Sequence, residues 1–103
     1  MAMLVRNSAA QKRTITIFVP GLLREYCGGA ARLTTMASRV RAALEEVEAS
    51  YPALHRSVCN ETGAVRPHVN LFVNTENIRD LDGLDTTLAE GDELIILPAI
   101  SGG

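Results

Sequence analysis

Few side chains in this sequence have the type and spacing that chemistry requires. His55 and His68 stand at no ligand-like interval from each other or from Cys27 and Cys59. Two cysteines make neither a disulfide framework nor a zinc cluster. Cys27, just before Gly28-Gly29, could be a reactive loop thiol, but cysteines more often serve as inert small apolar residues. Asp80, Asp82 and Asp85 are too sparse for a calcium loop, which needs a closing glutamate at fixed spacing. Glu45, Glu46 and Glu48 read as the wet side of a helix. No metal and no bound cofactor are assigned. What remains is the end of the chain, Pro98-Ala99-Ile100-Ser101-Gly102-Gly103. A diglycine ordinarily marks a turn, a helix cap or a linker, because glycine tolerates positive φ. The expectation is that Gly103 is the chain end, so that nothing follows to be turned or linked. Two expectations stand: a frayed end, as most chain ends are, or a narrow peptide whose carboxylate enters a slot too tight for a Cβ. Six extended residues reach roughly 20 Å, at about 3.3–3.6 Å each.

The elements before the tail must hold and aim it. Thr14 to Val19 alternates with a period of two, which places Ile15, Ile17 and Val19 inward and Phe18 outward. Pro20-Gly21 ends this strand. Leu22, Leu23 and Tyr26 anchor a loop to Gly28-Gly29, and a short strand near Ala30 to Thr34 pairs back on the first. Ser38 is the expected N-cap of a helix whose apolar stripe is Val40, Ala43, Leu44, Val47 and Tyr51, with Pro52 as its stop. A single stripe calls for a single sheet to lie on. Residues 53–67 read as irregular, with Leu54 and Val58 plugging an edge of the core. His68 to Asn74 alternates again, Val69, Leu71 and Val73 inward and Phe72 outward, and a short strand follows around Ile78-Arg79. Leu81, Leu84 and Leu88 punctuate a loop before the turn Glu90-Gly91-Asp92. The last strand, Glu93 to Leu97, is nearly all apolar, as expected of a central strand covered on both sides. A right-handed crossover through the helix makes the first and last strands parallel neighbours. The expectation is therefore an α+β roll, a mixed sheet of about five strands packed on one main helix. It spans 14–97, between a flexible arm at 1–13 and an extended tail at 98–103.

The totals exclude several classes. At 103 residues the chain is one domain with one modest core. A net charge of −2 leaves no basic footprint for nucleic acid. No apolar run approaches the ~18 residues of a membrane span, and the first 13 residues lack a signal-peptide pattern. A cytoplasmic monomer is expected.

The order of elements, together with Glu90-Gly91-Asp92-Glu93-Leu94 and Leu97-Pro98-Ala99-Ile100-Ser101-Gly102-Gly103, resembles the ubiquitin-like β-grasp sulfur carriers. These include the molybdopterin synthase small subunit and the thiamine-pathway and cysteine-synthesis carriers. The likeness runs from about Thr14 to Gly103. The stretch Val69 to Arg79 is similar to the cysteine-synthesis branch in particular, while the chain's length and long middle loop count against the thiamine branch. The resemblance implies that a separate adenylating enzyme of the ubiquitin-activating type uses ATP to activate Gly103, and that sulfur then converts it to a thiocarboxylate. A downstream synthase would draw on that sulfur to make cysteine or a related metabolite. The chain would be a co-substrate, not an enzyme. A molybdopterin synthase small subunit and a modifier conjugated to lysines are the alternatives.

Activation is needed because an α-carboxylate, with a pKa near ~3.3–3.7, is ionised at neutral pH and a poor electrophile. A Cβ on Gly103 would crowd the carbonyl carbon under attack, and one on Gly102 would hinder entry. Ile100 is the expected apolar contact of the tail, with Ser101 and Pro98 completing its recognition. If the strands share one sheet, Phe18 and Phe72 form a docking patch on its outer face, joined by Ile95 or, in the other register, by Leu94 and Ile96; the alternative is that residues 53–67 fold over and bury it.

Overall fold

The computed structural model describes residues 14–99. Strands β1 (Ile15–Phe18), β2 (Arg32–Thr35), β3 (Val69–Val73), β4 (Glu76–Asn77) and β5 (Glu93–Pro98) form one mixed sheet in the order β2-β1-β5-β3-β4. β5 lies at its centre, parallel to β1 and antiparallel to β3. Helices α1 (Val40–Ser50) and α2 (Pro52–Val58) supply the other layer of the core. The α+β class, the five strands and the parallel first and last strands are as the sequence leads one to expect.

Alternation sets the layers. Ile15, Ile17 and Val19, then Val69, Leu71 and Val73, then Leu94 and Ile96 are all buried. They meet Val40, Ala43, Leu44 and Val47 of α1, at helical spacing, and Leu54 and Val58 of α2. Each such side chain removed from water contributes on the order of 1.5–3 kcal/mol before the entropy of ordering is subtracted.

Pro52 does more than stop a helix. The residue before a proline is pushed out of the α region, and Tyr51 lies outside it at φ −140°, ψ 73°. Proline suits the first helical position, however, so Pro52 opens α2. The stretch expected to be irregular thus begins with two turns of helix, and the helical layer has two members. Ser38 does not cap α1. Arg39 holds the N-cap position with no side-chain bond. The backbone does the capping instead: Val40 N–H donates to Thr86 O at 3.0 Å, and Leu88 N–H donates to Ser38 O at 2.9 Å. Glu46 is not merely solvated, since Thr35 donates its hydroxyl to Glu46 Oε1 at 2.5 Å and ties β2 to α1.

Two further boundaries differ. Residues 21–27 form a 3-10 helix that ends at Gly28 in the left-handed region, φ 70°. The short strand after Asn74 is Glu76–Asn77, and Ile78–Asp80 is a 3-10 turn. β5 also departs from expectation. Its alternate residues Ile95 and Leu97 are not buried, and Leu97 is 46% exposed. The outer face of the central strand is open.

The start of β5 is fixed by a clamp. Asn74, at φ 57°, receives Glu93 N–H on its Oδ1 at 3.0 Å and donates from Nδ2 to Asp92 Oδ1 at 3.1 Å. Asparagine tolerates this backbone region better than other side chains do. The second Asp92 oxygen accepts Ala89 N–H at 2.8 Å, so the turn before β5 is held from both sides.

Candidate docking face and tail exit

One transverse row crosses all five strands on the outer face. Phe18 stands opposite Arg32 on one side and Ile95 on the other; Phe72 stands opposite Ile95 and Asn77. With strands about 4.8 Å apart, the two phenylalanines flank Ile95 at roughly 10 Å from each other. All three are half-buried. The Arg32 guanidinium lies 5.2 Å from the Phe18 ring centroid, within cation–π range. The segment 53–67 packs on the core side of the sheet, through buried Leu54, Val58 and Cys59 and partly buried Val65, rather than over the row.

Leu97, two residues beyond Ile95, extends the row toward the exit of the chain, opposite Asn70. Asn70 Oδ1 accepts from Asn77 Nδ2 at 3.3 Å and from Arg79 Nη1, and Arg79 also donates to Val69 O at 3.1 Å. The apolar strip Phe18–Ile95–Phe72–Leu97 thus has an arginine at each flank. Leu97 was legible as the next residue of the same parity as Ile95. Arg32 and Arg79 carry no sequence signal, because only the strand registers bring them to the strip.

Pro98 belongs to the sheet, facing Val69. Ala99 N–H donates to His68 O at 2.6 Å and Asn74 N–H to Glu93 O at 2.8 Å. Those bonds make Pro98–Val69 a pair without mutual hydrogen bonds, and Phe72–Ile95 a hydrogen-bonded one. The nitrogen of Pro98 therefore faces away from β3. On that side the ladder with β1 has already stopped, at Phe18–Ile95. A proline is tolerated where no donor is required, and the chain leaves the sheet with one neighbour. Ile100, Ser101, Gly102 and Gly103, and the expected arm at 1–13, lie outside the described residues.

The remaining candidates stay apart. His55 is buried on α2 and His68 is exposed just before β3. Cys27 and Cys59 are both buried and unbridged. Burial raises the Cys59 pKa; Arg66 opposes the shift and Glu48 adds to it. A thiol so held is a poor nucleophile at neutral pH. Among the described residues no three His, Cys, Asp or Glu side chains group to hold a metal, and no helix is long and apolar enough to cross a membrane.

Residues 17–103 match the ThiS family. The chain belongs to that family. Among its relatives, the sulfur carrier protein CysO of Mycobacterium tuberculosis is 32% identical over 91 residues, 86% of this chain and 98% of the relative. Of solved structures, a chain of the BexX/CysO complex of Amycolatopsis orientalis superposes with a TM-score of 0.79 at 29% identity, covering 86% of this chain and 99% of that one. The small archaeal modifier protein 1 of Methanosarcina acetivorans superposes with a TM-score of 0.77 at 30% identity, covering 88% and 97%. The fold is the β-grasp of ubiquitin-like sulfur carriers. ThiS family membership reaches through residue 103, so the diglycine end falls within the matched span.

Proposed function

We propose that this chain carries sulfur as a C-terminal thiocarboxylate on Gly103 and delivers it for the synthesis of cysteine or a related metabolite. The observation that carries the reading is the family match that runs through the diglycine, on a chain whose nearby relatives include CysO sulfur carriers over almost their whole length. The Gly103 carboxylate attacks the α-phosphorus of ATP on a separate adenylating enzyme, and pyrophosphate leaves. A sulfide or persulfide sulfur then attacks the acyl carbon and AMP departs; a persulfide adduct needs a thiol to release its second sulfur. The product is a thiocarboxylate, a better nucleophile than the carboxylate it replaces. This chain supplies the acyl group, its reach and a docking surface, while catalytic groups and ATP reside on the partner. The strip of Phe18, Phe72 and Ile95, continued by Leu97, is the surface that partner would cover, with Pro98, Ile100, Ser101 and Gly102 threaded into its site.

Intact-mass measurement after incubation with an adenylating enzyme of this class, ATP and sulfide tests the reading. The native chain gains the mass difference between sulfur and oxygen. Gly103→Ala, or one residue appended after Gly103, gains nothing while the melting temperature stays unchanged. An equal yield from either variant would overturn the proposal. The likeness to the archaeal modifier supports a second reading, attachment of Gly103 to lysines. Under that reading lysine replaces sulfide as the attacking group, and a ladder of conjugates replaces the heavier free chain.

A further inference from the structure

The register of β5 sorts its last residues between two sides of the sheet. Leu97 shares the parity of Ile95 and faces outward, whereas Pro98 shares that of Leu94 and Ile96 and faces the helical layer, opposite Val69. On that second side a groove of about 420 Å³ opens between the 3-10 helix, α2 and the end of β5. Its apolar wall holds Leu22, 72% exposed, and Tyr26, 39% exposed. Arg56, Arg66 and His68 supply the polar wall, and Pro98 closes one end. No acidic side chain among the described residues lines it, although the chain carries a net charge of −2. Arg66 donates from Nε to Arg56 O at 2.7 Å, which ties the two arginines to the same wall. Neither the Arg66 Nη groups nor the Arg56 guanidinium has a partner among the described residues.

We infer that this groove is a second docking surface for the adenylating enzyme, and that it takes a segment of that enzyme carrying an apolar side chain beside one or more carboxylates. The inference rests on the carrier reading, which supplies the partner. Charge selects the occupant's head, since two unpaired arginines with no acid beside them attract an anion. Guanidinium is weakly hydrated and meets a carboxylate with two parallel N–H bonds, which suits it to a contact that sheds water. Leu22 selects the rest of the occupant: at its exposure it adds little burial to the fold, and a partner's apolar side chain would supply that burial. Position selects the partner. An enzyme that takes the end of this chain must come to the place where β5 ends, and the groove and the strip of Ile95 and Leu97 lie on opposite sides of that place. Contact with both holds the exit from two directions, the strip through apolar area and the groove through charge that fixes orientation.

Adenylation, read as exchange of pyrophosphate with ATP on the adenylating enzyme of this chain's own organism, tests the inference as the concentration of full-length chain is raised. Arg56→Glu is expected to raise the half-saturating concentration by about tenfold or more, because it sets like charges against each other. Added salt raises that concentration more steeply for the native chain than for Arg56→Glu. Leu22→Ser raises it too, with the native salt dependence kept. Arg56→Glu also places a carboxylate in the last turn of α2, which a helix disfavours. Arg56→Gln, which removes the charge without reversing it, therefore serves as a second variant with a smaller rise in the same direction, and every variant is assayed below its melting temperature. Arg39→Glu makes the same change of charge at the start of α1, outside the groove, and stays within about twofold of the native value. Native values for both Arg56 variants, or an equal rise in Arg39→Glu, would overturn the groove and leave the carrier reading standing. A native chain that the enzyme does not adenylate overturns the carrier reading, and this inference with it.

Discussion

Ile95 and Ile96 are neighbours on one strand, identical in side chain and opposite in face, so truncating each to alanine separates packing from strand propensity. Ile96 is 1% exposed, opposite Leu71 and within the core. Removing buried methylenes there costs the transfer term and a cavity term together, about 2–5 kcal/mol. Taking about 3 kcal/mol, and about 4–8 °C per kcal/mol for a domain of this size, Ile96→Ala lowers Tm by roughly 12–24 °C. Ile95 stands opposite the two phenylalanines on the neighbouring strands, and cross-strand pairs contribute about 0.2–1 kcal/mol each. Ile95→Ala is therefore expected to lose about 1 kcal/mol, or roughly 4–8 °C. Any β-propensity lost on going to alanine is shared, so the difference of about 2 kcal/mol reports burial alone. Thermal melts and urea titrations with unchanged m-values provide the readout. Losses that agree within about 0.5 kcal/mol, or that fall in the reverse order, would refute the assignment of faces and with it the outer strip.

Two further predictions address partner and pH. Phe72→Asp, on the outer face, removes the cross-strand pair with Ile95 and should lower Tm by several degrees while leaving the chain folded; measured below that Tm, it should raise the concentration needed for adenylation by a ubiquitin-activating-type enzyme. If Phe72 contributes a hot-spot value of about 2 kcal/mol, the rise is roughly thirtyfold, and an unchanged value would move the docking surface elsewhere. Cys59 has its folded pKa raised by burial, so its contribution is complete below the unfolded thiol's ~8.5 and is lost as pH climbs from there through the folded value, because the unfolded chain ionises first. The fall in Tm between neutral and alkaline pH should accordingly be smaller in Cys59→Ala than in the native chain, and identical slopes would refute the linkage.

Period-two alternation made β1 and β3 legible, down to which residues face inward, and helical spacing did the same for Val40, Ala43, Leu44 and Val47. Short elements carried too few residues to show a period. The seven residues of α2 hide behind a proline that reads as a stop, and the 3-10 helix over Gly21–Cys27 has no apolar stripe. Ser38 looked like a cap because its hydroxyl suits the role. The carbonyl of Thr86, distant in sequence, reached the orphan N–H first.

β5 is the instructive failure. A run of Leu94, Ile95, Ile96 and Leu97 has no alternation, and burial on both faces was the economical explanation. The register instead sends Leu94 and Ile96 to the core and leaves Ile95 and Leu97 outside with Phe18 and Phe72. Folding does not require apolar side chains on that outer face; Thr16, Asn70 and Glu93 occupy neighbouring outward positions on the same three strands. Scattered exposed apolar residues need no explanation, but a contiguous strip aligned across the three central strands and leading to the exit of the tail does. The apolar character that misled the reading of burial is thus the feature that most directly suggests contact with a partner at the place where the tail emerges.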